Sequence, residues 1–256
     1  MSTMVDASAS FTFARPNRIL GHKCSPNYSH FLKCSCSFER KPIRSDSSIE
    51  GTLAEIERSR VIACLRAQSG EEAMKAAQAA LSGGISVLEI TMTTPDVFEV
   101  LHGLVQQHPE TILGVGTVLN VMDAKNAIEA GAKFLMSPAT VKGILDYVQR
   151  SEVLYIPGAM TPTEVLNAYE DGARIVKVYP VSALGGVKYF SALKKSFSHI
   201  PLVASQGMTL DSMSMYVDQG AASVVLSDAI FDKEAMDRRA YDEIRRLARL
   251  AARHGI

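Results

Sequence analysis

After residue 36 this 256-residue chain has a single cysteine, Cys64, so no disulfide framework can staple that part together. No apolar run approaches the roughly 20 residues that span a bilayer, which removes a membrane role. Neither sign of charge prevails, with 27 Lys and Arg against 27 Asp and Glu, so no nucleic-acid footprint shows at this level. No Gly-x-Gly-x-x-Gly follows the first apolar run; that stretch reads Leu65-Arg66-Ala67-Gln68-Ser69-Gly70, without the dinucleotide fingerprint of a Rossmann fold. No histidine ends an apolar run either. His102, His108, His199 and His254 fall on or beside helical stretches, leaving Glu89 and Asp228 as the obvious carboxylates for a catalytic metal. The expectation is an enzyme without cofactor or metal.

The balance of charge conceals an asymmetry. Residues 1–45 carry seven basic and two acidic side chains, which leaves 20 of the 27 basic and 25 of the 27 acidic residues to the remainder. The same 45 residues hold eight serines, with Pro16 and Pro26 before Pro42, and no sustained periodicity or central apolar block. A serine-rich, basic, acid-poor start has the composition of an organelle transit peptide, and an Arg-rich amphipathic helix is hard to draw in it. A disordered, plastid-type leader over 1–45 is therefore expected, with cleavage between Cys34 and Ser48 and a plastid-stroma location for the mature protein. A disordered tail of other purpose is the alternative. Cys24, Cys34 and Cys36 fall in this leader; without a second pair at ligand spacing they predict no metal site.

From residue 49 to 256 a beat sets in. A short helix over Thr52–Ser59 precedes an apolar run at 60–65, and similar runs recur at 85–92, 112–118, 133–137, 153–157, 174–179, 201–205 and 223–227. Each is short and rich in Val, Ile and Leu, as strands covered on both faces are. Helical spacing fills the gaps, at 72–81, 97–107, 121–130, 141–148, 163–169, 187–197 and 210–217, and a basic amphipathic stretch at 241–254 closes the chain. Helix starts carry capping signals at Ser69, Thr161 and Thr209, and Gly83-Gly84, Gly131, Gly172 and Gly220 follow helix ends. Eight strands alternating with helices at a regular period, with no long insertion, predict an α/β fold: a (β/α)₈ barrel with its active residues near the C-terminal ends of the strands.

Two charged residues interrupt the apolar runs. Lys177 lies within Ile175-Val176-Lys177-Val178-Tyr179, and strand alternation puts it on one face with Ile175 and Tyr179. That face points either into the barrel or onto the helix layer. Inside the barrel the amine is desolvated, which frees it as a nucleophile; the alternative is a structural ion pair or a lysine reaching out past the strand end. Glu89 repeats the oddity in Val87-Leu88-Glu89-Ile90-Thr91, where burial favours the raised pKa of a general acid/base. A salt bridge to Lys177 is its structural alternative. Arg66, at the end of the first run, can hold a carboxylate by a bidentate contact or partner Glu89. In the absence of a metal, a lysine imine supplies an electron sink.

The chain from about Ile49 onward resembles the 2-keto-3-deoxy-6-phosphogluconate (KDPG) and 4-hydroxy-2-oxoglutarate (KHG) aldolases. The resemblance rests on Val61-Ile62-Ala63-Cys64-Leu65-Arg66-Ala67, Leu88-Glu89-Ile90-Thr91, Gly114-Val115-Gly116-Thr117-Val118, Ser137-Pro138, Ile156-Pro157-Gly158 followed by Thr161-Pro162-Thr163-Glu164, and Val176-Lys177-Val178-Tyr179-Pro180. It implies a (β/α)₈ barrel, a homotrimer and a Schiff-base cleavage that releases pyruvate and an aldehyde. It casts Lys177 as the imine-forming amine and Glu89 as the acid/base. Thr117 and Pro138 would line the pyruvate pocket, Tyr179 would lie beside the pyruvyl group, and Arg66 would bind the carboxylate. Some relatives place that arginine where this chain has Thr93. A second departure concerns phosphate. Phosphate-using relatives carry Gly-Gly after the seventh strand and Gly-Ser after the eighth, whose N–H groups cradle the anion. The matching residues here are Gln206-Gly207 and Leu226-Ser227, so Gly207 and Ser227 remain and Ser205 adds a hydroxyl. Leu226 would bring an apolar branch to the loop, which weighs against a phosphorylated substrate.

Two other functions fit a barrel. A catalytically idle barrel that binds a keto acid or a partner protein explains an eroded phosphate site, but not a buried lysine and glutamate whose replacement by apolar residues would stabilise the fold. A phosphosugar isomerase needs the phosphate site and fits less well.

Overall fold

The computed structural model describes residues 47–255; the leader expected over 1–45, with its three cysteines, lies outside the described residues. Each of the eight apolar runs forms parallel strand. They are β1 (Val61–Leu65), β2 (Val87–Thr91), β3 (Ile112–Gly116), β4 (Phe134–Met136), β5 (Leu154–Ile156) with β6 (Gly158–Ala159), β7 (Val176–Val178), β8 (Leu202–Ser205) and β9 (Ser223–Leu226). The sheet order is β5-β4-β3-β2-β1-β9-β8-β7-β6. Its two ends, β5 and β6, are halves of one run parted by Pro157, which has no N–H to give a ladder. The proline carbonyl still accepts from the Lys177 N–H at 2.8 Å, so the sheet closes on itself through this broken strand. The chain is thus the (β/α)₈ barrel the repeat predicted.

The strands sort their side chains into two apolar layers by simple alternation. Ile62, Val87, Phe134, Met136, Ile156, Ile175, Val203 and Val225 fill the lumen, while Ala63, Leu88, Ile90, Val115, Val176, Val178 and Leu226 meet the helices outside. The helices are α1 (Ser47–Ser59), α2 (Gly70–Ser82), α3 (Val97–Gln107), α4 (Val121–Glu129), α5 (Lys142–Val148), α6 (Pro162–Glu170), α7 (Gly186–Ser196), α8 (Leu210–Asp218), α9 (Lys233–Asp237) and α10 (Tyr241–Gly255). None of the described helices is long and apolar enough to cross a membrane.

Local chemistry explains the boundaries. Ser69, Thr161 and Thr209 each accept the N–H of the residue three positions on, and Thr161 with Glu164 makes a reciprocal capping box. Gly84, Gly131, Gly172 and Gly220 all have positive φ, as residues that end helices in a left-handed turn do. Gly83, beside the first of them, has another reason: a Cβ there would lie 2.6 Å from that of Ala248, so α2 and α10 pack closely only over hydrogen.

Three features depart from the sequence expectation. Helix α1 starts at Ser47, five residues before the expected Thr52, because Ile49, Leu53 and Ile56 recur along one face and pack against the lumenal core. The helix touches β1, β2, β5 and β9 and so plugs the barrel at the end where its strands begin. A 3₁₀ turn at Val181–Leu184 and the five-residue α9 were not anticipated; both are too short to show a period.

Candidate active site

The two layers settle which way the odd charges point. Lys177 shares a face with Ile175, which lies in the lumenal core, while Val176 and Val178 face the helices. Lys177 therefore enters the barrel, only 6% exposed. Glu89 stands on the lumenal face of β2 with Val87 and is 2% exposed. Cys64, on the lumenal face of β1, sits directly opposite Glu89 in the ladder.

Gly116 on β3 makes room for the glutamate. A Cβ at that position would fall 1.3 Å from Glu89 Oε1, so the carboxyl occupies the space that any other residue would fill. No hydrogen-bond partner among the described residues reaches Glu89 Oε2. Burial lifts the Glu89 carboxyl above the usual carboxylate range, against the opposing pull of Lys177, the Cys64 thiol and Arg66. The same burial, with Glu89 adding to it, keeps the Cys64 thiol protonated. The salt bridges proposed as structural alternatives do not form: among the described residues no ion pair joins Glu89 to Lys177 or Arg66 within 4.0 Å. The Lys177 Nζ instead stands 5.3 Å from the centre of the Tyr179 ring, within the range of a cation–π contact.

Above these groups, at the C-terminal ends of the strands, opens a cleft of about 860 Å³. The structure gathers Arg66, Tyr179, Ser205, Gly207 and Ser227 into its wall, with Thr93 and Cys64. Lys177, Glu89, Thr117 and Pro138 are not part of that wall. Thr117 follows β3 with φ of +60°, a rare conformation for a β-branched residue and a mark of local strain. Pro138 follows β4 and presses on the broken strand: a Cβ at Gly158 would meet the Pro138 carbonyl at 2.3 Å.

The phosphate-site positions read differently in three dimensions. Leu226 does not enter the cleft. It is fully buried in the outer layer, while its neighbours Val225 and Ser227 line the cavity, as alternation along β9 requires. Leu226 therefore brings no apolar branch to the cleft, contrary to the sequence expectation. Gln206 keeps a left-handed backbone (φ +83°) next to Gly207 (φ +75°), and its side-chain oxygen accepts from the Ser182 hydroxyl.

Sequence reasoning missed Cys64 and Gly116 as site residues, although alternation along β1 and β3 places both on the lumenal face. Of the acidic part of the lining it named only Asp228; Glu72 was not singled out, and Lys233 and Asp237 were missed because α9 carried no periodic signal. No three His, Cys, Asp or Glu side chains among the described residues gather as a metal-ligand set.

A family model described as KDPG and KHG aldolase matches residues 53–247, most of the chain and every strand of the barrel. The chain belongs to this aldolase family. It is a carbon–carbon lyase of the class I aldolase type. The aldolase is 34% identical over 162 residues to the 2-dehydro-3-deoxy-phosphogluconate aldolase of Treponema pallidum, covering 63% of this chain and 77% of that protein. It is 30% identical over 181 residues to the KHG/KDPG aldolase of Escherichia coli, covering 71% and 85%. Among solved structures, the KDPG aldolase of Legionella pneumophila, which holds pyruvate as a covalent carbinolamine, superposes with a TM-score of 0.72 at 28% identity, covering 77% of this aldolase and 96% of that chain.

Proposed function

We propose that the aldolase cleaves a 2-keto-3-deoxy sugar acid or 4-hydroxy-2-oxoglutarate to pyruvate and an aldehyde, with Lys177 as nucleophile and Glu89 as acid/base. One observation carries the assignment: a lysine and a protonatable glutamate share the lumen beneath a cleft and have no ion pair with each other. The Lys177 amine adds to the C2 carbonyl to give a carbinolamine, and Glu89 supplies the proton with which the hydroxyl leaves as water. The resulting iminium accepts the electron pair of the C3–C4 bond as that bond breaks. Glu89, now a carboxylate, takes the proton of the C4 hydroxyl, and the aldehyde departs. It then returns a proton to C3 of the enamine, and water releases pyruvate from Lys177. In this reading Arg66 holds the substrate carboxylate from the cleft wall, Tyr179 contacts the pyruvyl carbons, and Thr117 and Pro138 bound the pyruvate pocket.

At the distal end Ser205, Gly207 and Ser227 offer hydroxyl and backbone donors, and the carboxylates Glu72, Asp228 and Asp237 share the lining with the cations Arg66 and Lys233. This favours no strong preference for a phosphorylated aldehyde half. The composition of residues 1–45 supports delivery to the plastid stroma, and the family resemblance supports assembly as a homotrimer.

The test is incubation of the leader-free protein with pyruvate and borohydride, followed by mass spectrometry. A pyruvate-derived adduct on Lys177, lost in Lys177→Ala, is expected. No adduct on folded protein would overturn the mechanism. Turnover of KDPG and of its unphosphorylated analogue is expected to be comparable; a strong preference for the phosphorylated compound would overturn the distal-site assignment.

A further inference from the structure

Behind the pyruvate pocket, on the helix side of the sheet, a chain of buried hydrogen bonds links three strand ends. Ser137, which no solvent reaches, donates its hydroxyl to the Val118 carbonyl at 2.5 Å. Tyr155, 3% exposed, donates to the Ser137 oxygen at 2.9 Å. The Val141 N–H, at the start of α5, donates to the Tyr155 oxygen at 3.1 Å.

The direction of this relay is fixed by chemistry. A backbone N–H can only donate and a carbonyl can only accept, so each hydroxyl between them accepts one bond and gives one. Burial also pushes the Tyr155 phenol up, which keeps its proton in place. The relay ends one residue beyond Thr117, whose left-handed backbone is strained. Its neighbours are pinned on both sides: the Gly116 carbonyl accepts from Met92 N–H at 2.8 Å, and Val118 N–H donates to Met136 at 3.0 Å. Strict alternation would send Thr117 outward after Leu113 and Val115; the turn to φ +60° breaks that alternation. Strain of this kind persists only where the surroundings over-determine it.

We infer that Tyr155 and Ser137 are positioning residues for the aldol reaction: by anchoring the Val118 carbonyl they hold Thr117 in its left-handed conformation at the pyruvate pocket. The inference rests on the proposed role of Thr117 in that pocket. Neither Tyr155 nor Ser137 lines the cleft, so each acts on the reaction only through the backbone it anchors.

Borohydride trapping of pyruvate by the full chain tests it, with adduct measured against pyruvate concentration. In Tyr155→Phe, which removes one oxygen, half-saturation is expected to rise about tenfold, the equivalent of one buried hydrogen bond, with the maximal adduct unchanged. Ser137→Ala is expected to behave alike and serves as a second variant. In a Thr117→Gly background, where glycine adopts the turn without strain, adding Tyr155→Phe is expected to change nothing further. A lower melting temperature with unchanged half-saturation in both single variants would overturn the inference and leave a purely structural relay. The same tenfold rise in the glycine background would also overturn it. Absence of adduct in the wild-type protein would remove the site assignment itself, and this inference with it; trapping in the wild type separates the two failures.

Discussion

Glu89 carries the sharpest conflict between stability and chemistry. Its folded pKa is raised, chiefly by burial, so the native state binds more protons here than the unfolded chain does. The group costs nothing below the unfolded value of about 4.3, and stability falls as pH rises through the higher folded value. Glu89→Gln removes that penalty while keeping the shape. Its turnover is expected to drop by about 10²- to 10⁴-fold, the usual share of general acid/base catalysis. Its melting temperature relative to wild type is expected to be higher at pH 8 than at pH 5. Thermal melts at the two pH values check this, and an equal difference at both would show that burial does not perturb Glu89. Gly116→Ala attacks the same carboxyl from outside, because the new methyl would overlap Glu89 Oε1. Loss of turnover with destabilisation of about 1–3 kcal/mol, the range for overpacking, is expected in denaturant titrations and rate assays.

The helices owe their positions to caps as much as to apolar faces. At α6 Thr161 accepts from the Glu164 N–H, and Glu164 Oε2 accepts from the Thr161 N–H at 2.8 Å and from Met160 at 2.7 Å. Those contacts hold the Glu164 carboxyl below the usual carboxylate range. Thr161→Ala is expected to cost about 1 kcal/mol and to lower the melting temperature by about 2–4 °C. Differential scanning calorimetry is the check, and no change would mean that water replaces the cap. Caps of this kind were legible as strings of residues because they act within four positions. Helix α9 was not legible: five residues give no period, and its boundary is a single Asp232 side chain accepting from Ala235 N–H at 2.9 Å.

On the scale of the molecule, α1 is the one helix among the described residues that packs on the lumen. Ile56 is fully buried there against the strand side chains. Truncation to Ala leaves a cavity at the closed end of the barrel, and a loss of about 2–5 kcal/mol is expected in urea unfolding. Little change would show that the plug is dispensable. This helix was foreseen only in part, since its first turn gains its stability from the barrel mouth it covers. Of that first turn only Ile49 joins the apolar face that Leu53 and Ile56 continue.

The strands, their alternation and the exceptional positions of Lys177 and Glu89 were determined by the sequence alone, because a strand's two-residue period acts on neighbours in the chain. That period also offered two faces without saying which was the lumen. Only closure of the sheet at Pro157 decided it, turning Lys177 inward with Ile175 and sending Leu226 outward. The room for Glu89 at Gly116, the strained turn at Thr117 and the acidic far wall belong to the tertiary structure for the same reason. Each depends on groups brought together from different strands, set by which strands the closed barrel makes adjacent.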